Sequence, residues 1–410
     1  MVAARGLIFI MTTMTPAAPS NVGPMLRPAR DLVALKVQRR KYAKNAIDEL
    51  ELRALIGHDD EASRFVLECA EVFTHDQHIC QVYELHGRDT HDILKTGPMS
   101  MEDVRLMTRQ VLQGLRLMHA AELIHTDIKP GNVLWCARKR EARLIDFGNA
   151  APKLMKGASI GTQEYCPPEM LLGNPMGKPV DLWALGCTVF EWLTGDALFD
   201  PWEVCVQKYE EFSSAVDEEK SSGTDDDDLD EEREQLPRGT VLAGKYRLLE
   251  EIGRGKCATV WKAEPLHDKP LQEPRPTRED ARVIMTEHRR SKPAVEGYDT
   301  FEVVQGYEHF LLMQELLGPY PDKLAETASY RHIFYNENGA LRFQPGSRSP
   351  SLSVWLIAKN GLAENAAREA EAFLLGLLQF DPEHRMTAEE ALRSEWLFCR
   401  GATMDGSRGG

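Results

Sequence analysis

The chain has no C-x-x-C pair. Its eight cysteines stand apart at positions 69, 80, 136, 166, 187, 205, 257 and 399. That spacing indicates neither a cysteine-ligated zinc site nor a disulfide framework, so a reducing compartment, cytoplasm or nucleus, is the default expectation. No apolar run comes near the ~20 residues a membrane span needs. The short stretch Gly6 to Met11 falls below the ~7–15 apolar residues of a secretory signal, so no signal and no membrane attachment are expected. Positive charge is in deficit: 49 Lys and Arg stand against 64 Asp and Glu, a formal charge of -15. An acidic balance argues against direct nucleic-acid or anionic-membrane binding and suits a basic protein partner. There is no internal repeat, which excludes solenoid architectures.

What is present reads as a folded chain, with 42% hydrophobic residues among 410. That is enough for a sizeable core. LVALKV (32–37) reads as a buried strand, apolar and partly β-branched, with one lysine. Residues 42–55 have helical spacing, with Ile47, Leu50, Ala54 and Leu55 expected on one face. ICQVYEL (79–85) reads as a second strand. From Val104 to Met118, the apolar positions Val104, Met107, Val111, Leu112, Leu115 and Met118 recur at helical spacing. Residues 179–193 are almost wholly apolar around Asp181 and predict a buried helix. Helices are also expected at 364–379 and 387–396.

Two motifs carry chemistry. HTDIKPGN (125–132) is followed, after a strand, by DFG (146–148). A polar turn can arise once by chance; the ordered pair with this spacing is far more specific. Transfer of a phosphoryl group needs positioning, metal ions and a base near the accepting hydroxyl. Asp127 would orient the hydroxyl and accept its proton, and Lys129 would reach the γ-phosphate. Asn132 and Asp146 would hold magnesium. Lys36 is the expected strand lysine for the α- and β-phosphates. Its partner on the next helix is Glu49 or Glu51, with Glu49 favoured because it directly precedes an aliphatic residue. GTQEYCPPE (161–169) would form a substrate platform, with Thr162 tied to Asp127 and Lys129 and Glu169 paired with Arg385. Asp181 would anchor the catalytic loop from below.

This set of motifs resembles the eukaryotic protein kinase superfamily over nearly the whole chain. Lys129, two residues after Asp127, is similar to the serine/threonine branch. HTDIKP, DFGNA, TGDALFDP (194–201), ELLGPYPDKL (315–324) and KVQRRKYAKNAIDE are similar to the SR-protein kinases of the CMGC group. The resemblance implies an α+β fold of two lobes: a small antiparallel sheet with one helix, and a larger, mainly helical lobe carrying a long insertion. It implies ATP and Mg2+ as cofactors, bound near Lys36, Glu49, Glu84, Leu85, Asn132 and Asp146. It also implies basic Arg-Ser-rich protein substrates and a monomeric enzyme. Thr126 stands where many kinases have an arginine that meets a phosphate on the activation segment. Activity is therefore expected without phosphorylation at Ser159 or Thr162.

The pattern breaks in one place. Residues 1–35 contain no glycine-rich loop ahead of the strand lysine. The missing element stands instead at 244–264, GKYRLLEEIGRGKCATVWKAE, with Gly253, Gly255 and Ala258 at G-x-G-x-x-A spacing. On one side of it lies the acidic tract 221–235, and on the other a proline-rich, charged stretch, 264–280. The expected organisation is an irregular segment 1–31, a first kinase part 32–201, an insertion 202–305, a second kinase part 306–397 and a tail 398–410. Three explanations fit the displaced segment: it folds back into the small lobe, the gene is misassembled, or it is a decayed remnant that leaves a weak or dead enzyme; the alternative function is a kinase-like binding module without activity. Reach does not forbid fold-back, since a flexible linker of ~40 residues spans about 35 Å. Closing a tenfold longer loop costs only about 2 kcal/mol more.

Overall fold

The computed structural model describes residues 32–57, 60–152, 161–200, 236–255, 257–266, 300–342 and 344–398. Ser159, the acidic tract, the N-terminal segment and most of the 264–280 stretch lie outside them. In chain order come β1 (Val33–Gln38), α1 (Ala43–Ile56), α2 (Asp60–Phe65), β2 (Cys69–His75) and β3 (His78–Glu84). Next are β4 (Arg88–Asp89), α3 (Thr90–Leu94), α4 (Met101–Ala120), β5 (Leu123–Ile124), β6 (Val133–Cys136), β7 (Glu141–Leu144) and β8 (Ala151–Pro152). Then follow α5 (Pro168–Leu171), α6 (Pro179–Thr194), β9 (Val241–Leu242), β10 (Tyr246–Arg254), β11 (Ala258–Pro265) and α7 (Thr300–Leu317). The chain divides into two compact units. Among the described residues, the first joins 32–55, 69–85, 236–255 and 257–266, and the second holds the remainder.

The first unit is an antiparallel sheet of six strands in the order β2-β3-β1-β11-β10-β9. The displaced segment is therefore part of the small sheet and not of the large lobe. β11 lies antiparallel to β1 with Lys36 opposite Val260, and β10 lies beside β11 with Gly253 opposite the same Val260. One buried core joins the two stretches of chain. Leu35, Val37, Phe73, Cys80 and Val82 come from the first, and Leu242, Tyr246, Leu248, Trp261 and Ala263 from the second. Alternation explains the register, since Leu248, Trp261 and Ala263 fall on one face at strand period.

A polar clamp holds the hairpin's outer edge. The carboxylate of Glu71, 1% exposed, accepts from Lys245 Nζ at 2.7 Å and from the Tyr246 hydroxyl at 2.6 Å. Tyr246 stacks on Phe73 with ring centroids 5.6 Å apart. At the other end, the Arg39 amide donates to the Cys257 carbonyl at 2.9 Å.

In the second unit α4 is capped by Ser100, whose hydroxyl accepts from the Asp103 amide at 3.1 Å. Its expected apolar face is buried throughout, from Val104 to Met118. α6 starts on Pro179 and ends at Gly195, whose φ of 83° lets the last turn close in the left-handed region. It is buried on all sides from Val180 to Thr194, as an apolar helix must be. β4, β6 and β7 form a three-stranded sheet, and β5 pairs with β8.

α1 keeps only part of its expected face. The buried positions are Ala46, Glu49, Arg53, Ala54, Leu55 and Ile56, whereas Ile47 and Leu50 are only partly buried. Two of the four expected positions, Ala54 and Leu55, are buried, and the charged Glu49 and Arg53 are buried with them. The expected helix at 387–396 is shorter, an α-turn at Ala388–Ala391 and a 3-10 turn at Glu395–Leu397.

Candidate active site

Within the first unit, Lys36 points from β1 toward α1. Its Nζ lies 2.9 Å and 2.8 Å from the two oxygens of Glu49. The pair is largely buried, with side chains 17% and 7% exposed. Low local polarity strengthens such a pair and fixes the direction of the lysine. Glu84 ends β3, exposed, and Leu85 follows it, partly buried.

Gly253 and Gly255 occupy the β10–β11 hairpin, whose turn is closed by the Gly255 amide donating to the Ala258 carbonyl at 2.9 Å. A methyl carbon added at Gly253 would meet only Val260, at 3.7 Å, and one at Gly255 only the Ala258 carbonyl, at 3.8 Å. Neither glycine has a left-handed φ. The chain's own packing therefore demands neither glycine. Their use makes sense where a group from outside must approach the backbone.

In the second unit, Asp127 is the hub. Its carboxylate accepts from the Thr162 hydroxyl at 2.8 Å and from Asn132 Nδ2 at 3.0 Å, and Lys129 Nζ lies 3.0 Å away. Lys129 Nζ also donates to Thr162 Oγ1 at 2.6 Å, and Asn132 Nδ2 to the Asp127 carbonyl at 2.7 Å. Three expected residues, Thr162, Lys129 and Asn132, thus meet at the Asp127 carboxylate. The loop is supported from α6: Asp181, with no exposed surface, accepts from the His125 amide at 2.9 Å and the Thr126 amide at 2.8 Å. The same carboxylate meets His119 Nε2 at 2.9 Å.

Asp146 is brought beside Asn132 by the strand pair β6–β7. Val133 lies opposite Leu144, and the Ile145 amide donates to the Asn132 carbonyl at 3.1 Å. Asp146 itself has a φ of 63°. An Asn and an Asp on adjacent strand ends could offer two side-chain oxygens to a metal ion. That suits Mg2+, which keeps water and phosphate oxygens for its remaining positions.

Glu169 and Arg385 form a bidentate pair at 2.7 Å and 3.0 Å, both essentially without exposed surface. Arg385 also donates to the carbonyls of Pro179 and Gln379 and lies over the Trp183 ring. Every buried charge here has a partner, the condition under which such a pair fixes geometry. Sequence reasoning missed the Thr126 hydroxyl bond to the Asn149 carbonyl, 2.7 Å, and the Glu71 clamp. Neither has a local sequence signal, because each depends on a partner far along the chain.

Residues 24–238, just over half the chain, match the protein kinase domain. The chain belongs to the protein kinase family. Its fold is accordingly the two-lobed α+β kinase fold. Among curated relatives, this kinase chain is 32% identical over 179 residues to dual specificity protein kinase YAK1 of Saccharomyces cerevisiae, covering 42% of the chain and 22% of that protein. It is 33% identical over 178 residues to human dual specificity tyrosine-phosphorylation-regulated kinase 3, covering 42% and 30%. It is 28% identical over 207 residues to serine/threonine-protein kinase AFC2 of Arabidopsis thaliana, covering 43% and 48%. The matched stretch thus spans less than half the length of these relatives.

Proposed function

We propose that the chain is an ATP- and Mg2+-dependent protein kinase that phosphorylates serine or threonine in basic, Arg-Ser-rich proteins. The observation that carries this reading is the Asp127 carboxylate held between Thr162, Lys129 and Asn132. Asp127 orients the accepting hydroxyl and takes its proton. Lys129 and Thr162 hold that carboxylate in one rotamer and join the catalytic loop to the substrate platform. Asn132 and Asp146 would hold Mg2+, while Lys36, oriented by Glu49, and the Gly253–Gly255 backbone would hold the phosphates. Bound Mg2+ and ATP supply the transferable phosphoryl group and neutralise its charge.

Two features support the narrower substrate class. The motifs around Thr126, Asn149 and Asp200 are similar to those of the SR-protein kinases, and the chain's formal charge of -15 suits a basic partner. The relatives' names, two of them dual specificity kinases, also raise transfer to tyrosine as an outcome to be measured. A kinase-like binding module without activity is disfavoured by the in-register place of Gly253 beside Val260 and Lys36. The test is radiolabel transfer from ATP to an Arg-Ser peptide, with matched Ser→Tyr and Arg→Glu peptides, and Asp127→Ala as control. Transfer to the Arg-Ser serine alone, lost in the control, is expected. Equal transfer by Asp127→Ala would overturn the assignment of the base.

A further inference from the structure

Two consecutive residues of the catalytic loop grip both ends of the turn that carries Asp146. His125 Nε2 lies 3.1 Å from the Ile145 carbonyl, just before Asp146. The Asp127 amide faces His125 Nδ1 at 3.4 Å, so the ring proton belongs on Nε2 and is donated to Ile145. The Thr126 hydroxyl donates to the Asn149 carbonyl at 2.7 Å, just after Gly148. Between these points lie Asp146, Phe147 and Gly148, with the Phe147 ring 5.4 Å from His125. The Ala150 amide closes the turn on the Phe147 carbonyl at 3.0 Å.

Thr126 itself has a φ of 67°. A β-branched residue is rare there and is held under backbone strain. Such a conformation persists only where the surroundings determine it. Here the Asp181 carboxylate holds the Thr126 amide at 2.8 Å, and the hydroxyl is aimed at Asn149. The strand pair β5–β8 ends with Ile124 opposite Ala151. The Thr126–Asn149 bond adds one more link to that ribbon, on the side of Asp146.

We infer that Thr126 is a positioning residue for the Mg2+-binding aspartate: its hydroxyl, with the His125 ring, clamps the Asp146–Gly148 turn to the catalytic loop. The inference deepens the kinase reading by giving Thr126 a role of its own in that site. The strain at Thr126 and the loop's anchor on Asp181 serve to aim this one hydroxyl. Asp181 thereby connects the buried α6 to both the base and the metal ligand, through adjacent residues.

Thr126→Val tests it, because valine keeps the size and the β-branch, and so the strain, but lacks the hydroxyl. Thr126→Ser keeps the hydroxyl, and Thr126→Gly relieves the strain and lacks it. If the valine variant fails to fold, the glycine variant takes its place. The first readout is amide exchange on the full chain without nucleotide. Loss of one hydrogen bond should speed exchange of residues 146–151 roughly 2- to 10-fold, with α4 unchanged. The second is the Mg2+ concentration needed for nucleotide binding, which should rise by a similar factor. Serine should restore both. Exchange at 146–151 equal to wild type in the valine and glycine variants would overturn the clamp, as would serine behaving like valine. Absence of nucleotide binding in the wild-type chain would instead overturn the kinase reading, with the exchange comparison still deciding the clamp.

Discussion

Lys36 and Gly253 lie in one row across the small sheet, with Val260 between them on β11. More than 200 residues of sequence separate the two. The row places the lysine and the glycine hairpin on one surface, built from two distant stretches of chain.

Replacing Gly253 and Gly255 together with valine should leave the fold intact and weaken nucleotide binding. A Cβ at either position meets only ordinary contacts within the chain, and strands accept valine well. Filling the space of an approaching phosphate should cost affinity about 10- to 100-fold. Titration calorimetry with Mg2+ and ATP measures it, with the melting temperature as control. Unchanged affinity would count against the hairpin's place in the site.

Tyr246→Phe should loosen the hairpin. Burial, then the bond to Glu71, holds the Tyr246 phenol above its ordinary pKa, so it stays a donor to the carboxylate. Removing it leaves a buried carboxylate short of one partner and should cost about 1–3 kcal/mol. Urea unfolding followed by tryptophan fluorescence checks this, with Trp261 on β11 as one reporter.

Breaking the Glu169–Arg385 pair by Arg385→Met should cost about 3–5 kcal/mol, since it strands a carboxylate in the core. The double variant Glu169→Met with Arg385→Met should recover part of that loss. A double-mutant cycle on denaturant midpoints measures the coupling.

Two groups in the second unit should make stability depend on pH in opposite senses. Burial lowers His309 to about 4, partly opposed by its bond to the Cys166 carbonyl. Its neutral form is the folded form, so the stability present above about pH 6.5 is lost as pH falls toward 4. Burial raises Glu191 to about 7, opposed by the Tyr165 hydroxyl and aided by Glu164 and Asp196. Its protonated form is the folded form, so the stability present near pH 4.5 is lost as pH rises through 7. Glu191→Gln should therefore gain melting temperature relative to wild type between pH 5 and pH 8. A difference that stays constant with pH would contradict the assignment.

The catalytic loop was legible because its chemistry is contiguous: Asp127, Lys129 and Asn132 lie within six residues, and Asp146 one strand further on. The buried face of α4 was legible because six apolar residues keep one period. α1 was legible in part: Ala54 and Leu55 are buried as expected, whereas Ile47 and Leu50 are only partly buried and Glu49 turns inward to Lys36. The hairpin motif was legible as glycines at a known spacing, but its strand neighbour was not. Local pattern says that 246–265 pairs with itself; it does not say which distant strand β11 will join. The Thr126 bond to Asn149 was illegible for the same reason, since a hydroxyl carries no record of the carbonyl it will meet.

The central claim is that β11 from the displaced segment covers β1, completing the sheet that presents Lys36. Amide exchange of β1 in the full chain tests it most directly. With β3 on one side and β11 on the other, both alternating sets of β1 amides should be protected. Leu248→Asp, which places a charge in the shared core, should release the set that faces β11 and spare the set that faces β3. If the β11-facing amides of the wild-type chain exchange like an open sheet edge, the hairpin does not complete the small lobe and the account fails.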